Sequence, residues 1–340
     1  MAEDPVKSSS KTPSFDPAIQ SEDIAFGSDE MIVCGCGRSN PPNRLRCIYC
    51  GRELDVDIGS SGAIKASLRP LEPWERGFNV LLTGTSGDRS PDLNAITSCL
   101  PLERDTAQAI LNFGTPLPVV RVEGANDAAI IERDLEQIGV ESMIVSDVDL
   151  ASDKPPVRSS GLVFGDGVIG VREFNTGKVI EIAVEELIVL VRGILATRRI
   201  DAVEKRRRGS TEVVDEAAAM FDEAVLDIYA KGHPLGFRIN LAGFDFSCLG
   251  DQKELIAGEN LSRLMRTIRS HAPNAAFVDN YPKIRHSLDV VWPIESRRSG
   301  TGLQRSGFAR RDYGSVTLSS NLDQFTRYSR LQRHLHETKR

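Results

Sequence analysis

The chain has 340 residues, of which 40% are hydrophobic and 26% are charged, and its formal net charge is -6. This balance is typical of a mildly acidic protein with enough apolar residues for more than one core, and the length predicts two or three domains. Nowhere do eighteen apolar residues run together, and no apolar segment follows a basic start. The sequence therefore predicts neither a membrane span nor secretion.

The cysteines and the first thirty residues add two further limits. Six cysteines, four of them within seventeen positions, do not match the bridges that are spread through a small disulfide-stabilised secreted protein, so we expect a reducing cytoplasm. Residues 1–30 have almost no apolar periodicity, which predicts a disordered arm.

Two closely spaced cysteine pairs are the strongest chemical signal. Cys34 and Cys36 are followed, after a ten-residue gap, by Cys47 and Cys50. Two thiolate pairs on tight turns can bind one tetrahedral ion at about 2.3 Å from each sulfur, and neighbouring glycines allow such turns. We predict Zn²⁺, with iron in a rubredoxin-like site or a redox dithiol as alternatives. Because protein ligands fill all four positions, the ion is expected to be structural.

The run Cys36-x3-Asn40-x6-Cys47-x2-Cys50, within 31–54, resembles the Ran-binding-protein type of zinc finger and the wider zinc-ribbon class. Some members of that family bind single-stranded RNA through arginines, asparagines and a stacking tryptophan. The resemblance implies nucleic-acid or anion contacts at the polar residues of the matching segment, which are Asn40, Asn43, Arg44 and Arg46.

A linker over 55–76 leads into a regular segment. Apolar residues at spacings of three and four predict helices, and short apolar runs predict strands. The expected elements are a strand at 78–82, helices at 91–100 and 102–113, a strand at 119–122, a helix at 127–139 capped by Asn126 or Asp127, and a strand at 143–145.

The order strand, helix, helix, strand, helix, strand over 77–146 resembles the C-terminal domain of the bacterial ribosomal stalk protein, a fold shared with the Clp protease adaptor. The resemblance implies a small α/β domain over 77–150 that binds peptides. Stalk proteins recruit translation factors through lysines on their helix pair. The corresponding positions of this chain hold Asn94, Thr106, Ala107 and Gln108.

From residue 162 the apolar residues recur with a period of two. Gly165-Asp166-Gly167 and Asn175-Thr176-Gly177 separate short apolar runs and predict antiparallel hairpins. Further strands are predicted at 187–196, 237–241 and 244–246. A helix then follows with an apolar stripe of Leu261, Leu264, Met265 and Ile268.

A β-rich domain with a closing helix is predicted over 159–292. Its antiparallel strands and amphipathic helix, over 159–271, resemble a pleckstrin-homology-like barrel. Such modules bind peptides or lipid headgroups, so the resemblance implies an anionic ligand for a basic loop. That loop consists of Lys205, Arg206, Arg207 and Arg208. A solvated basic face is the alternative interpretation of this run.

Residues 293–340 are predicted to be a basic, flexible tail. From residue 295 onward the segment has ten Lys and Arg against four Asp and Glu. The tail could bind RNA phosphates and stack on bases, or it could fold back on the acidic remainder of the chain. Its aromatic residues are Phe308, Tyr313, Phe325 and Tyr328.

No convergent catalytic set is found in the sequence. Gly165-x-Gly167-x-x-Gly170 matches a dinucleotide-binding string, but strands are predicted on both sides of it, whereas that chemistry needs a helix after the glycines. The five histidines lack a metal-binding spacing joined to carboxylates.

The expected fold class is therefore multi-domain α+β: a zinc ribbon, a small α/β stalk-like domain and an antiparallel β-rich domain with a closing helix. We interpret the protein as a non-enzymatic, cytoplasmic zinc-binding adaptor for another protein or peptide. The alternative is a nucleic-acid-binding, ribosome-associated protein that uses Arg44, Arg46 and the basic tail. The sequence leaves the oligomeric state open.

Overall fold

The structure is a computed structural model that describes residues 31–42, 44–56, 66–85, 92–207, 210–307 and 310–338. The chain divides into two compact units, Met1–Asp57 and Ile58–Arg340. The predicted mixed α+β class is confirmed, because a large β-sheet is combined with several helices. The arm predicted over 1–30 lies outside the described residues.

The first unit contains a short hairpin and a very small core. β1 (Ile32–Val33) pairs antiparallel with β2 (Ser39–Asn40). Cys34, Cys47 and Leu54 are buried together. So few buried apolar side chains supply little folding free energy, which makes the cysteine cluster the main candidate for holding this unit together.

A small α/β module opens the second unit. Its sheet places β3 between β4 and β5, and both pairings are antiparallel. The predicted order of strands and helices is confirmed. The elements are β3 (Phe78–Thr85), α1 (Leu93–Cys99), α2 (Arg104–Asn112), β4 (Leu117–Val122), α3 (Ala125–Gln137) and β5 (Val140–Ser146).

The prediction that Asn126 or Asp127 caps α3 is wrong. Gly124 occupies the N-cap position, and both predicted residues lie inside the first turn. Asp127 is buried, and its carboxylate accepts a hydrogen bond from the backbone N–H of Ser67 at 2.7 Å. The Asp127 side chain therefore fastens the segment before β3 to the module instead of capping its own helix.

Nine described strands form one large sheet. Along the sheet the strands follow the order β13, β14, β9, β10, β11, β6, β7, β8, and β12 pairs with β9. The β11–β6 and β12–β9 pairs are parallel, and the remaining pairs are antiparallel. The strands are β6 (Val157–Phe164), β7 (Val168–Glu173), β8 (Val179–Ala183), β9 (Leu187–Arg207), β10 (Ser210–Ala230), β11 (His233–Asn240), β12 (Ala276–Val278), β13 (Glu295–Gly307) and β14 (Arg310–Ser320).

The pleckstrin-homology resemblance implies a barrel, but this sheet is open. No pairing among the described strands joins its two edges, β8 and β13. The two predicted turns are confirmed between β6 and β7 and between β7 and β8. Gly167 (φ 70°) and Gly177 (φ 69°) adopt the left-handed backbone conformation that these turns require.

The strand predicted at 244–246 is wrong. The Asp245 carboxylate accepts a hydrogen bond from the backbone N–H of Ser247 at 2.9 Å and caps a short 3-10 helix, Phe246–Gln252. Phe244 and Phe246 are both buried. The alternation of apolar and polar residues therefore arises because two rings of a loop are buried in the core. The aspartate between them favours a turn over a strand.

β9 and β10 extend well beyond the predicted strand at 187–196. Each has 21 residues, and the outer half of β9 also pairs with β14, which pairs in turn with β13. Lys205, Arg206 and Arg207 lie in β9, so the basic loop predicted for them is wrong. Arg208 lies outside the described residues. Backbone pairing orders this polar segment without apolar periodicity: β9 pairs with β10 as far as Arg207 and with β14 as far as Glu204.

The large sheet has a different core on each face. Three helices pack on it: α4 (Ala257–His271), α5 (Tyr281–Leu288) and α6 (Leu322–Glu337). Leu190 of β9 joins the core formed with α4, whereas its neighbours Val189 and Val191 join the core formed with α5, α6 and the α/β module. The predicted apolar stripe of α4 is confirmed as a core face.

The prediction of a flexible tail over 293–340 is wrong for the described residues 295–307 and 310–338. This segment forms β13, β14 and α6. Phe325, Tyr328, Leu331 and Leu335 of α6 are buried, and their spacings of three, three and four are typical of a core-facing helix. Phe325 and Tyr328 therefore fill the core and do not present stacking surfaces for bases.

The arginines of α6 are also buried. Arg330 donates hydrogen bonds to the carbonyl oxygens of Ala151 (2.7 Å) and Lys154 (3.0 Å), and Arg333 donates to that of Asp149 (2.7 Å). The sequence counts these arginines as part of a basic tail, but their guanidinium groups are buried and donate hydrogen bonds to backbone oxygens of the loop after β5.

In the described part of the chain, no helix combines the length and the apolar character needed to cross a lipid bilayer.

Candidate metal centre

Two tight turns position the four cysteines. In the first turn the backbone N–H of Gly37 donates to the carbonyl of Cys34 (2.8 Å), and in the second the N–H of Gly51 donates to that of Cys47 (2.9 Å). Gly37 (φ 79°) and Gly51 (φ 71°) both have left-handed backbone. The expectation that glycines permit these turns is confirmed at both positions.

The four thiols converge on one point. The Sγ of Cys34 lies 3.6 Å from that of Cys50, and the Sγ of Cys36 lies 3.7 Å from that of Cys47. All four sulfurs lie within 4.8 Å of one another. Sulfurs bound at about 2.3 Å to a tetrahedral ion are about 3.8 Å apart, so the spacing fits a metal site.

The same distances separate a metal site from a disulfide. A disulfide requires a sulfur–sulfur distance of about 2.05 Å, and all four cysteines are free thiols. Cys34 and Cys47 are buried, whereas Cys36 and Cys50 are exposed. The structure thus brings together the complete predicted ligand set, and these cysteines can hold a metal ion.

Asn40 joins the two cysteine turns. Its side chain is fully buried; the amide Nδ2 donates to the carbonyl of Arg38 (3.0 Å), and Oδ1 accepts from the backbone N–H of Ile48 (2.9 Å). Asn40 therefore links the turn that follows Cys36 with the turn that follows Cys47. The finger resemblance marks it as an RNA contact, but the structure uses both ends of its amide internally.

The Cys47 thiol is held in an environment that favours its ionised form. Desolvation by burial raises its pKa, but hydrogen bonds from the backbones of Tyr49 and Cys50 and from the side chains of Asn40 and Cys50 lower it, to about 6. A thiolate is the form of cysteine that binds metals. The site is therefore chemically suited to a cation.

Arg44 and Arg46, the predicted anion contacts of this unit, differ in exposure. Arg44 is exposed, whereas Arg46 is half-buried and forms a backbone bridge with Glu53. Arg44 is thus the better placed of the two for a contact with a ligand. The guanidinium carbon of Arg38, which the sequence analysis did not select, lies 5.4 Å from the ring centre of the exposed Tyr49.

The remaining candidates of the sequence analysis belong to the second unit. Cys99 and Cys248 are half-buried among apolar side chains, and burial raises the pKa of Cys248. The dinucleotide-like string at 165–170 forms the β6–β7 turn, with strands on both sides, as predicted.

Three arginines on the outer side of α4 lie in no motif that the sequence predicts as a site. Arg263, Arg266 and Arg269 recur at a spacing of three, outside the apolar stripe. This spacing was visible in the sequence, but the arginines did not stand next to one another and so formed no basic run. Among the described residues, the four cysteines of the first unit are the only cluster of three or more Cys, His, Asp or Glu with metal-binding geometry.

Comparison of this chain with protein-family models, with curated proteins and with solved structures finds no match in any of the three. The resemblances to a Ran-binding zinc finger, a ribosomal stalk domain and a pleckstrin-homology module therefore stay predictions.

Proposed function

We propose that the chain is a non-enzymatic adaptor in which residues 31–54 form a zinc ribbon that binds another protein. The observation that carries this proposal is the convergence of four cysteine sulfurs within 4.8 Å. Zinc is the ion that tetrahedral sulfur ligation most commonly selects. A four-sulfur site leaves no coordination position for water or substrate, so the ion's role is to shape the surrounding surface.

Three apolar side chains of this unit are exposed to solvent. Val33, Ile48 and Tyr49 have 68%, 55% and 60% of their surface exposed. Arg38 beside Tyr49 and the exposed Arg44 add positive charge. A protein partner that presents an apolar side chain next to carboxylates would complement these groups, because apolar anchors supply affinity and rim charges supply orientation.

The second unit supports the same class of function. The element order and antiparallel sheet of β3, β4 and β5 support a stalk-like fold, which we propose as a second peptide-binding module. A cytoplasmic setting fits the free thiols, because a reducing compartment keeps metal-binding cysteines from forming disulfides.

Zinc-dependent capture of a partner tests the proposal. The full chain, loaded with zinc and immobilised, is incubated with RNase-treated lysate, alongside the Ile48→Asp/Tyr49→Asp variant and chain treated with a chelator. We expect the same protein to be retained by the native chain and lost from both altered forms. Elemental analysis must first show that the double variant still binds zinc.

The matched control is Val163→Asp, which places the same charge at a half-exposed apolar position on β6. We expect this variant to retain the partner. Retention that survives both zinc removal and the Ile48/Tyr49 changes would show that the ribbon is not the binding site and would overturn the proposal.

A further inference from the structure

We infer that the outer face of α4 is a binding site for single-stranded nucleic acid, with Arg263, Arg266 and Arg269 as its phosphate and base contacts. This inference does not rest on the proposed zinc adaptor, since it concerns the second unit and a different class of ligand.

The arginines form one row along the helix. A spacing of three residues corresponds to a rise of about 4.5 Å along the axis, so the three side chains follow one another on one ridge. The opposite face is fixed in the core by Leu261, Leu264, Met265 and Ile268. The arginine row therefore has a rigid support and points away from the core.

Two adjoining grooves follow this row. One is lined by Gln252, Arg263, Arg266, Thr267 and Ser270, with a volume of 510 Å³. The second shares Arg266 and Ser270, continues past Arg269 to Phe277 and has a volume of 520 Å³. Among the described residues, no carboxylate lines either groove. Because Arg263 pairs with Glu254, the unpaired positive charge along these two grooves in the described structure comes from Arg266 and Arg269. Two such charges in a row suit a chain of phosphates better than a single anion.

Each arginine is prepared for a different contact. Arg263 is oriented by hydrogen bonds to the carbonyl of Gln252 and the carboxylate of Glu254, both 2.7 Å. Arg266 is exposed and its side chain makes no hydrogen bond or ion pair within the described structure, so its guanidinium donors are free for phosphate oxygens.

Arg269 provides a stacking surface. Its guanidinium carbon lies 4.8 Å from the centre of the Phe277 ring. The Phe277 ring thus supports the guanidinium group, and in our inference an unpaired base stacks on that group. An unpaired arginine next to an arginine that lies over an aromatic ring suits single-stranded nucleic acid, which offers both phosphates and bases, better than a phosphopeptide, which offers no base.

A membrane surface is the main competing ligand. Leu255 and Ile256, just before α4, are exposed, and together with nearby arginines they could insert into a bilayer of anionic lipid. The concave grooves favour nucleic acid, because a membrane is contacted by protruding side chains, whereas a nucleic-acid strand enters a groove.

The test is fluorescence anisotropy of labelled 12-nucleotide RNA and DNA of one mixed sequence, titrated with the full chain between 50 and 300 mM KCl. We expect binding to at least one strand type that weakens with salt. Arg266→Glu and Arg269→Glu should each weaken it about tenfold or more, and Arg266→Ala should reduce the slope of log K against log salt by about 1. Arg269→Lys keeps the charge but removes the planar surface, so it should also weaken binding.

The matched control is Arg104→Glu, which makes the same charge change at an exposed residue of α2. Circular dichroism should show that all variants fold. The inference is overturned if neither strand binds, if Arg104→Glu weakens binding as much as Arg266→Glu, or if the chain binds phosphatidylserine vesicles in a Leu255-dependent way and ignores both oligonucleotides. Stronger binding of RNA than DNA, or the reverse, identifies the ligand within the proposed class.

Discussion

Arg327 of α6 donates a hydrogen bond from Nη1 to Oδ1 of Asp147 at 2.9 Å, and both side chains are almost completely buried. The second oxygen of Asp147 accepts from Nε of Arg121 at 2.8 Å and from the backbone N–H of Gly77 at 2.9 Å. The carboxylate of Asp147, which follows β5, thus links α6 to Arg121 on β4 and to Gly77, the residue before β3. A buried charge is tolerated only when it is paired in this way.

Arg327→Met should therefore destabilise the chain strongly. We expect a loss of about 1.5–3 kcal/mol in the free energy of unfolding, because the buried Asp147 loses one charge-assisted hydrogen bond but keeps its pairing with Arg121. Urea denaturation followed by circular dichroism measures the change. The control is Arg297→Met, which breaks an ion pair with Glu295 in which the arginine is 79% exposed, and a loss below about 1 kcal/mol is expected. Equal losses in the two variants would contradict this account.

Gly193 of β9 should tolerate no side chain. A Cβ atom at this position would overlap the ring of Phe325 on α6. We expect Gly193→Ala to cost about 1–3 kcal/mol through overpacking, and Phe325→Leu in the same chain should recover part of that loss. Gly258→Ala in the first turn of α4 is the matched control, because a Cβ there meets nothing within 4 Å and alanine favours a helix. Thermal denaturation should show opposite shifts for the two Gly→Ala changes.

Elemental analysis of the purified chain should find about one zinc ion per chain, and Cys47→Ser should abolish it. The second unit should keep its circular dichroism and melting temperature in that variant, because its cores contain none of the four cysteines. Cys99→Ser should leave the metal content unchanged. Full zinc content in Cys47→Ser would exclude the four-sulfur site.

Three tyrosines should resist ionisation while the chain is folded. Desolvation by burial raises the pKa of Tyr229, Tyr281 and Tyr328 above the ordinary value of about 10. Since the folded state holds these protons more tightly than the unfolded state, stability is unaffected below about pH 9 and falls as the pH rises beyond about 10.

Absorbance at 295 nm measures this directly. Between about pH 9 and 11.5, the folded chain should ionise three fewer tyrosines than the same chain in urea. Tyr328→Phe should reduce that difference by one. An equal number of titrating phenols in both states would contradict the burial of these side chains.

The α/β module was the part of the fold most accessible from sequence. Its helices have apolar residues at spacings of three and four, and its strands are short apolar runs, so local pattern and tertiary structure agree. The cysteine cluster was equally predictable, because metal ligands recur at fixed short spacings. The role of Asn40 could not be predicted, since nothing in the sequence shows that its amide joins two separate turns.

The segment after residue 293 was misread for a physical reason. Its charge suggested a solvated tail, but Arg330 and Arg333 are buried and donate hydrogen bonds to carbonyl oxygens that lie far away in the sequence. The predicted boundary at Trp292 was misplaced in the same way. Trp292 is buried and its indole N–H donates to Asn79 of β3 at 2.9 Å, a contact across 213 residues that no local pattern reveals.

The position of α6 has a consequence for how the chain is made. All the other described helices and strands precede α6, yet its aromatic rings complete one core and its arginines donate to carbonyl oxygens of the loop after β5. During synthesis, the apolar surface that α6 covers on the α/β module and on one face of the large sheet therefore stays exposed until this helix leaves the ribosome. Nascent chains halted before residue 322 should be aggregation-prone clients of chaperones, and a short delay in translation there would lengthen their exposure.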